Sequence, residues 1–312
     1  SVCRPSRREI IDDAAPPGDP GGVPAPTRMT THLRAPVARP GEPPVYDSAR
    51  TGVPFFSEAR ALWEYRHLVR ELISRDVTVR YKRSALGVAW TMLNPLLNMV
   101  ALTIVFSVIL RQGIEHFPVY FLAGMLFWNF FSQSTGHAAS LSVDAAETTR
   151  RIYVPRSVFV VAAVGVGLVN LLFSLVPLVL IILVTGHPFH ATWLFLPVAV
   201  VLGAMFCTGV GLVVFTLASR FADVRDTYLT LLTPWLFLTP IVYTPSLVPE
   251  GYRWIVRWNP MTYLVEVFRA PIYDGWLPGW KTFTFAVCAA CAALALGWAF
   301  YASRIEEYGR GA

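Results

Sequence analysis

The sequence predicts an all-α membrane protein of six transmembrane helices, and three observations carry that expectation. Apolar residues make up 54% of the chain, while Asp, Glu, Lys and Arg make up only 15%, against about 25% charged in an ordinary soluble domain. Six apolar runs follow one another at 85–110, 117–142, 158–185, 192–219, 228–243 and 282–303, none holding an Asp, Glu, Lys or Arg. Each is close to the ~20 residues that carry a helix across a bilayer. The cations between the runs collect in connections that can share one side of the membrane.

Residues 1–56 are dense in Pro and Gly (APPGDPGGVPAP, RPGEPPVY) with mixed charge. Such a composition buries no core and predicts a disordered cytoplasmic tail. It has no continuous apolar stretch of the kind a signal peptide needs. Met29 lies inside it, and the residues ahead of that Met read as an upstream extension of the reading frame. Residues 57–84 predict an amphipathic helix lying in the cytoplasmic interface. Leu62, Tyr65, Val69 and Leu72 recur at helical spacing, with Arg60, Arg66, Arg70 and Arg75 around them.

The stretch RDVTVRYKRSALGVAWTMLNPL ends the water-soluble part of the chain. Arg75, Arg80, Lys82 and Arg83 precede the first run, and a charge at the bilayer centre costs about 2.5–3.5 kcal/mol, so Arg83 lies at or outside the surface. The positive-inside bias then places this end in the cytoplasm. Arg150, Arg151 and Arg156 follow the second run, Arg220 and Arg225 the fourth, and Arg304 and Arg310 the last. These connections, and the tail at 305–312, are expected to be cytoplasmic; the turn GHPFHA is expected outside. The connection between runs five and six departs from the charge rule with Arg253, Arg257, Arg269 and Lys281. Its proline-bounded segments SLVPEGYRWIVRWNP and MTYLVEVFRAPIY predict two short interfacial or re-entrant helices. Tyr252, Trp254, Trp258 and Tyr263 would sit there at headgroup depth as an outer gate.

The same pattern excludes several chemistries. Ion-coupled carriers use carboxylates or broken-helix ion sites within the membrane, and the six runs hold no carboxylate. No Gly-Lys dipeptide exists, so the phosphate-cradling GxxxxGK[ST] loop is absent. Energy for transport would have to enter from a separate subunit through polar cytoplasmic connections. One is VDAAETTRRIYVP, with Asp144, Glu147, Arg150 and Arg151; the other is SRFADVRDT, with Arg220, Asp223, Arg225 and Asp226. No metal site is expected: His187-x-x-His190 has Pro188 between its histidines and reads as a plain turn, and Cys288-x-x-Cys291 sits in an apolar helix as small packing residues. His137 reads as helix packing. Glu266 and Arg269, at i and i+3, are placed to pair with each other.

Four blocks carry a family resemblance: RDVTVRYKRSALGVAWTMLNPL, VYFLAGMLFWNFF, RFADVRDTYLTLL with TPIVYTPSLVP, and WNPMTYLVEVFR. In that order they resemble the type II ABC export permeases that move O-antigen, capsule, teichoic acid or galactan. The resemblance implies a homodimer working with two cytoplasmic ATP-binding subunits, which would bind the ATP and Mg; this chain would hold no cofactor and would be no enzyme. It implies a lipid-linked polysaccharide substrate and membrane lipids as partners, without nucleic acid, in the bacterial cytoplasmic membrane with both termini inside. The interfacial helix and the two charged connections would be the ATPase-coupling elements. Arg far outnumbers Lys, as in high-GC genomes, which with the resemblance points to a cell-wall galactan.

A path for sugar should offer aromatic platforms and neutral hydrogen-bonding groups. Trp128, Asn129, Phe131 and Gln133 in the second run, with Trp235, Phe237 and Tyr243 in the fifth, supply such groups. Arg75, Arg80, Lys82 and Arg83 would meet a lipid pyrophosphate at the entrance. The alternatives are a polytopic enzyme acting on lipid-linked sugars, which would need clustered carboxylates, and a passive channel or scaffold, which would need a charged ring or filter.

Overall fold

The computed structural model describes residues 63–82, 89–105, 114–149, 155–221 and 223–309. The tail expected at 1–56 lies outside them. All regular structure among the described residues is helical. In chain order the helices are α1 (Arg66–Lys82), α2 (Ala89–Thr103), α3 (Phe117–Thr149), α4 (Ser157–Thr185), α5 (Leu196–Ala218), α6 (Asp223–Leu238), α7 (Arg253–Trp258), α8 (Pro260–Tyr273) and α9 (Trp280–Gly309). Three segments are long and apolar enough to cross a membrane: Ser157–Thr185, Ala191–Ala218 and Trp280–Arg304. The helix α3 is longer than any of these, but Asn129, Gln133 and His137 dilute its apolar half. At 16 residues α6 falls short of the usual span, while α2 shows 15 residues with positions outside the described ones on both sides.

Three expected boundaries shift. The second run continues helically to Thr149, because nothing in VDAAETT breaks a helix; the connection expected from Val143 therefore begins later. The fifth run is helical only from Asp223 to Leu238, and its remaining apolar residues form the turn Thr239–Tyr243, where Pro240 brings no backbone donor. Ahead of α5 the chain makes a 3₁₀ turn, Ala191–Phe195. Two further 3₁₀ turns, Pro245–Leu247 and Glu250–Tyr252, precede α7 and α8.

The core gathers around α3, which packs against α4, α5 and α8 through Phe121, Leu126, Phe127, Phe130 and Phe131, all buried. Close approach is set by glycine. A Cβ on Gly209 of α5 would strike the Ala293 carbonyl of α9, and one on Gly297 would strike the Gly209 carbonyl. The two backbones therefore touch, as small residues permit where lipid supplies no hydrophobic drive between helices. On the other side α1 docks on α4, with Ile73 seated where a Cβ on Gly165 would be. At the end of α4, Gly186 takes φ 67° and its N–H meets the Ile182 carbonyl, the left-handed stop that glycine adopts without strain.

We expect Gly209→Ala to force α5 and α9 apart and lower stability by about 1–3 kcal/mol, the cost of overpacking. Gly279→Ala, which meets nothing within 4 Å, should be close to neutral. Thermal unfolding of the detergent-solubilised protein compares them.

Candidate functional site

A groove of about 460 Å³ runs between α3 and α6. Helical periodicity builds its α3 wall: Trp128, Ser132, Gly136 and Ser140 recur every four residues and share one face, flanked by Gln133 and His137. The α6 wall is Leu229, Leu232, Thr233 and Leu236. Gly136 leaves room for Leu229, whose Cδ2 would stand 3.0 Å from an added Cβ. Tyr228 Oη donates to Thr135 Oγ1 at 2.7 Å and holds the helices together. The hydroxyls of Thr135 and Ser140 donate to carbonyls four residues back, so these polar positions do not break α3.

The expected path residues are divided by the fold. Trp128 and Gln133 line the groove, and Gln133 accepts from Asn170 Nδ2 at 3.1 Å. Asn129 is half-buried on the same helix. Phe131 is fully buried and packs edge-on to Trp235 at 5.1 Å and against Phe206 at 5.6 Å. Trp235 also meets Trp128 at 6.1 Å. Phe237 is exposed, and its carbonyl accepts from Tyr243 Oη at 3.0 Å.

Beyond Trp235 the chain leaves the helix, and one side chain ties the break. Asn259 Oδ1 accepts from Trp235 Nε1 at 3.0 Å and from the Met261 N–H at 3.1 Å, capping α8 ahead of Pro260. Its Nδ2 donates to the Leu238 carbonyl and to Thr239 Oγ1 at 3.3 and 2.9 Å. Arg269, 3% exposed, donates to the Pro240 carbonyl at 3.0 Å and to Glu266 at 2.6 Å, with its guanidinium 4.0 Å from the Tyr120 ring centroid. Arg253 pairs with Glu250 and donates to the Val248 carbonyl. Two of the cations that depart from the charge rule are thus bonded inside the loop. Burial, then Glu266, raises the Asp274 carboxyl above its ordinary range. Sequence reasoning missed Asn259, although Asn before Pro at a helix start is a readable cap.

Of the aromatics expected at an outer gate, Tyr252, Trp254 and Trp258 are exposed. Tyr263 instead stacks on Phe285 at 5.1 Å and donates to the Arg257 carbonyl at 2.8 Å. His187 is buried; its ring lies 5.1 Å from His116, 5.8 Å from His190 and 5.6 Å from Tyr273. Its Nε2 donates to the Ile272 carbonyl at 3.3 Å, and burial lowers its pKa.

The expected coupling residues Arg220, Asp223, Arg225 and Asp226 are exposed at the α5–α6 connection, with both aspartates in the first turn of α6, where the helix dipole favours them. Asp144 and Glu147 fall within α3, but their side chains, and all of Arg150 and Arg151, lie outside the described residues. So do Arg83 and the side chains of Arg80 and Lys82. Arg75 is exposed and donates to Asp76 at 3.2 Å.

Residues 67–273, spanning the groove, the α6–α8 break and nearly all of α1, match the family model described as ABC-2 type transporter. The chain belongs to the ABC-2 type transporter family. It is 31% identical over 256 residues to the O-antigen export system permease protein RfbA of Myxococcus xanthus, covering 80% of this chain and 96% of that one. It is 26% identical to a protein of the same name from Klebsiella pneumoniae, over 66% and 80% of the two chains. The polysialic acid transport protein KpsM of Escherichia coli is 24% identical over 76% and 93%. An ABC-2 transporter chain with three segments of this length and apolarity is an integral protein of the inner membrane.

Two outcomes test the site's framework. Asn259→Ala removes the α8 cap and leaves buried groups unpaired, and should cost about 3 kcal/mol in thermal unfolding. His187, with its folded pKa below the unfolded value, contributes stability that is present above about 6.5 and lost as pH falls through the folded value. His187→Gln should flatten that acid-side loss in melting curves taken across pH.

Proposed function

We propose that this chain is the membrane-spanning subunit of an ATP-driven exporter of a lipid-linked polysaccharide. The carrying observation is the groove between α3 and α6: hydroxyl and amide groups and one imidazole beside leucines and Trp128. Sugar rings present apolar C–H faces and many hydroxyls, which such a wall meets without the strong binding that charge would bring. The names of the curated relatives, O-antigen export permease and polysialic acid transport protein, support the same substrate class.

In this reading two copies work with two cytoplasmic ATPase subunits, which hold ATP and Mg. Six spans cross the membrane with both termini inside, and α7 and α8 form an outer gate carrying Trp254 and Trp258. The exposed charges of Arg220, Asp223, Arg225 and Asp226, together with Asp144, Glu147, Arg150 and Arg151, receive the ATPase. Arg75, Arg80, Lys82 and Arg83 meet the lipid headgroup at the inner leaflet. Within the class, we assign a cell-wall galactan from the family resemblance taken together with a composition of the high-GC type, rich in Arg and poor in Lys.

Purification of the tagged chain should bring down an ATPase. Replacing the charged residues of 220–226 by Ala or Ser should reduce hydrolysis about fivefold or more, a typical coupling energy, while membrane insertion persists. Cells depleted of the chain should accumulate lipid-linked, galactose-containing glycan. An active chain with no nucleotide-binding partner overturns the exporter reading, and accumulation of a galactose-free glycan overturns the galactan assignment alone.

A further inference from the structure

His137 stands where two grooves meet. One is the α3–α6 groove; the other, about 480 Å³, lies against α1 and is lined by Arg75, Asp76, Val79 and Val166 together with the same histidine. The imidazole is about a quarter exposed. Its Nε2 lies 3.1 Å from Asp76 Oδ2, joining residues 61 positions apart, while Asp76 Oδ1 accepts from Arg75 Nε at 3.2 Å. Asp76 is held in turn by the seating of α1, through Ile73, on Gly165 of α4.

This geometry fixes what the junction offers a ligand. A carboxylate oxygen only accepts, so Nε2 donates to Asp76 and Nδ1 is the ring nitrogen left for a ligand hydroxyl, which can both donate and accept. The neighbouring hydroxyls have spent their protons: Ser132 Oγ donates to the Asn129 carbonyl and Ser140 Oγ to the Gly136 carbonyl. Their oxygens therefore face the groove as acceptors. An anion entering the α3–α6 groove would meet the hydroxyl lone pairs, and the Arg75 Nε on the α1 side is already bonded to Asp76. A ligand carrying several hydroxyl donors meets partners, with Leu229 and Leu232 opposite for its C–H faces.

We propose that the junction at His137 is a hydroxyl-recognition site that engages the sugar portion of the substrate, not its phosphate, as it passes from the interfacial helix to the α3–α6 groove. Asp76 is the positioning residue that takes the Nε2 hydrogen bond and orients the ring. This rests on the export reading and adds to it a specific division: the glycan is read at His137 and the phosphate by Arg75 and the basic residues that follow it.

The test uses the purified chain with its co-purified ATPase and, as probe, the glycolipid fraction accumulated by depleted cells. Hydrolysis is followed against probe concentration, beside the same lipid stripped of its glycan. His137→Phe keeps a ring and removes the hydrogen-bonding nitrogen; it should raise the half-saturating concentration about three- to tenfold, the worth of one hydrogen bond, with the maximal rate retained. Asp76→Asn, nearly isosteric, replaces one accepting oxygen by an amide and loosens the ring's orientation. It should shift the same parameter in the same direction, and it carries the comparison if the Phe variant misfolds. His137→Gln, which restores a hydrogen-bonding group, should recover part of the loss, and the stripped lipid should respond equally to all variants. A lowered maximal rate at unchanged half-saturation makes the pair a mechanical joint and overturns the proposal. An equal shift with stripped lipid places the phosphate there and also overturns it. If the wild-type pair shows no glycolipid stimulation at all, the export reading itself fails and this inference falls with it.

Discussion

Inside a bilayer, or inside a helical bundle, a backbone that leaves the helix must find partners for its exposed N–H and C=O groups. This chain leaves the helix between α6 and α8, and two side chains answer the demand. Asn259 uses both ends of its amide, accepting from Trp235 and Met261 and donating to Leu238 and Thr239. Arg269 crosses from α8 to the Pro240 carbonyl and is neutralised by Glu266. With those bonds in place α8 lies buried against α3, and Trp235 is held against Trp128. The α6 wall of the groove therefore depends on a turn that α6 itself does not contain.

The division of polarity follows from that arrangement. Along α3, polar groups are tolerated at mid-helix because hydroxyls return their protons to the preceding turn and Gln133 meets Asn170. Such groups retain acceptor capacity without charge. Charged side chains are displaced to helix ends and connections, as at Arg220 to Asp226, or consumed internally, as at Arg253 and Arg269. The result is a groove walled mainly by hydroxyl, amide and apolar groups and bounded by charged ends, which suits a hydroxylated cargo. The Asp76–His137 contact is where an end and the groove meet.

Hydropathy made several elements legible. The run expected at 158–185 is the helix Ser157–Thr185, bounded by Arg156 and the left-handed Gly186. The connection after the fifth run holds the helices Arg253–Trp258 and Pro260–Tyr273, the second opened by Pro260 but continuing through Pro271. Where the reading slipped, composition and conformation had parted. TPIVY is as apolar as a span but turns, because Pro240 has no N–H to give. VDAAETT is polar enough for a loop yet stays helical, because nothing in it breaks a helix. Path residues were harder still: Trp128 and Phe131 are three apart and equally aromatic, but only one lines the groove.

By itself the sequence determined the membrane-embedded helical class and the absence of a phosphate loop, since these depend on the length and charge of contiguous segments. Four spaced blocks were enough to indicate the family. Only tertiary structure decided that Arg269 is buried on Tyr120, that Asn259 ties the α6–α8 break, and that Asp76 reaches His137. The reason is physical: hydropathy is a property of neighbours in the chain, whereas a hydrogen bond between residues 61 apart exists only once α1 has docked on α4.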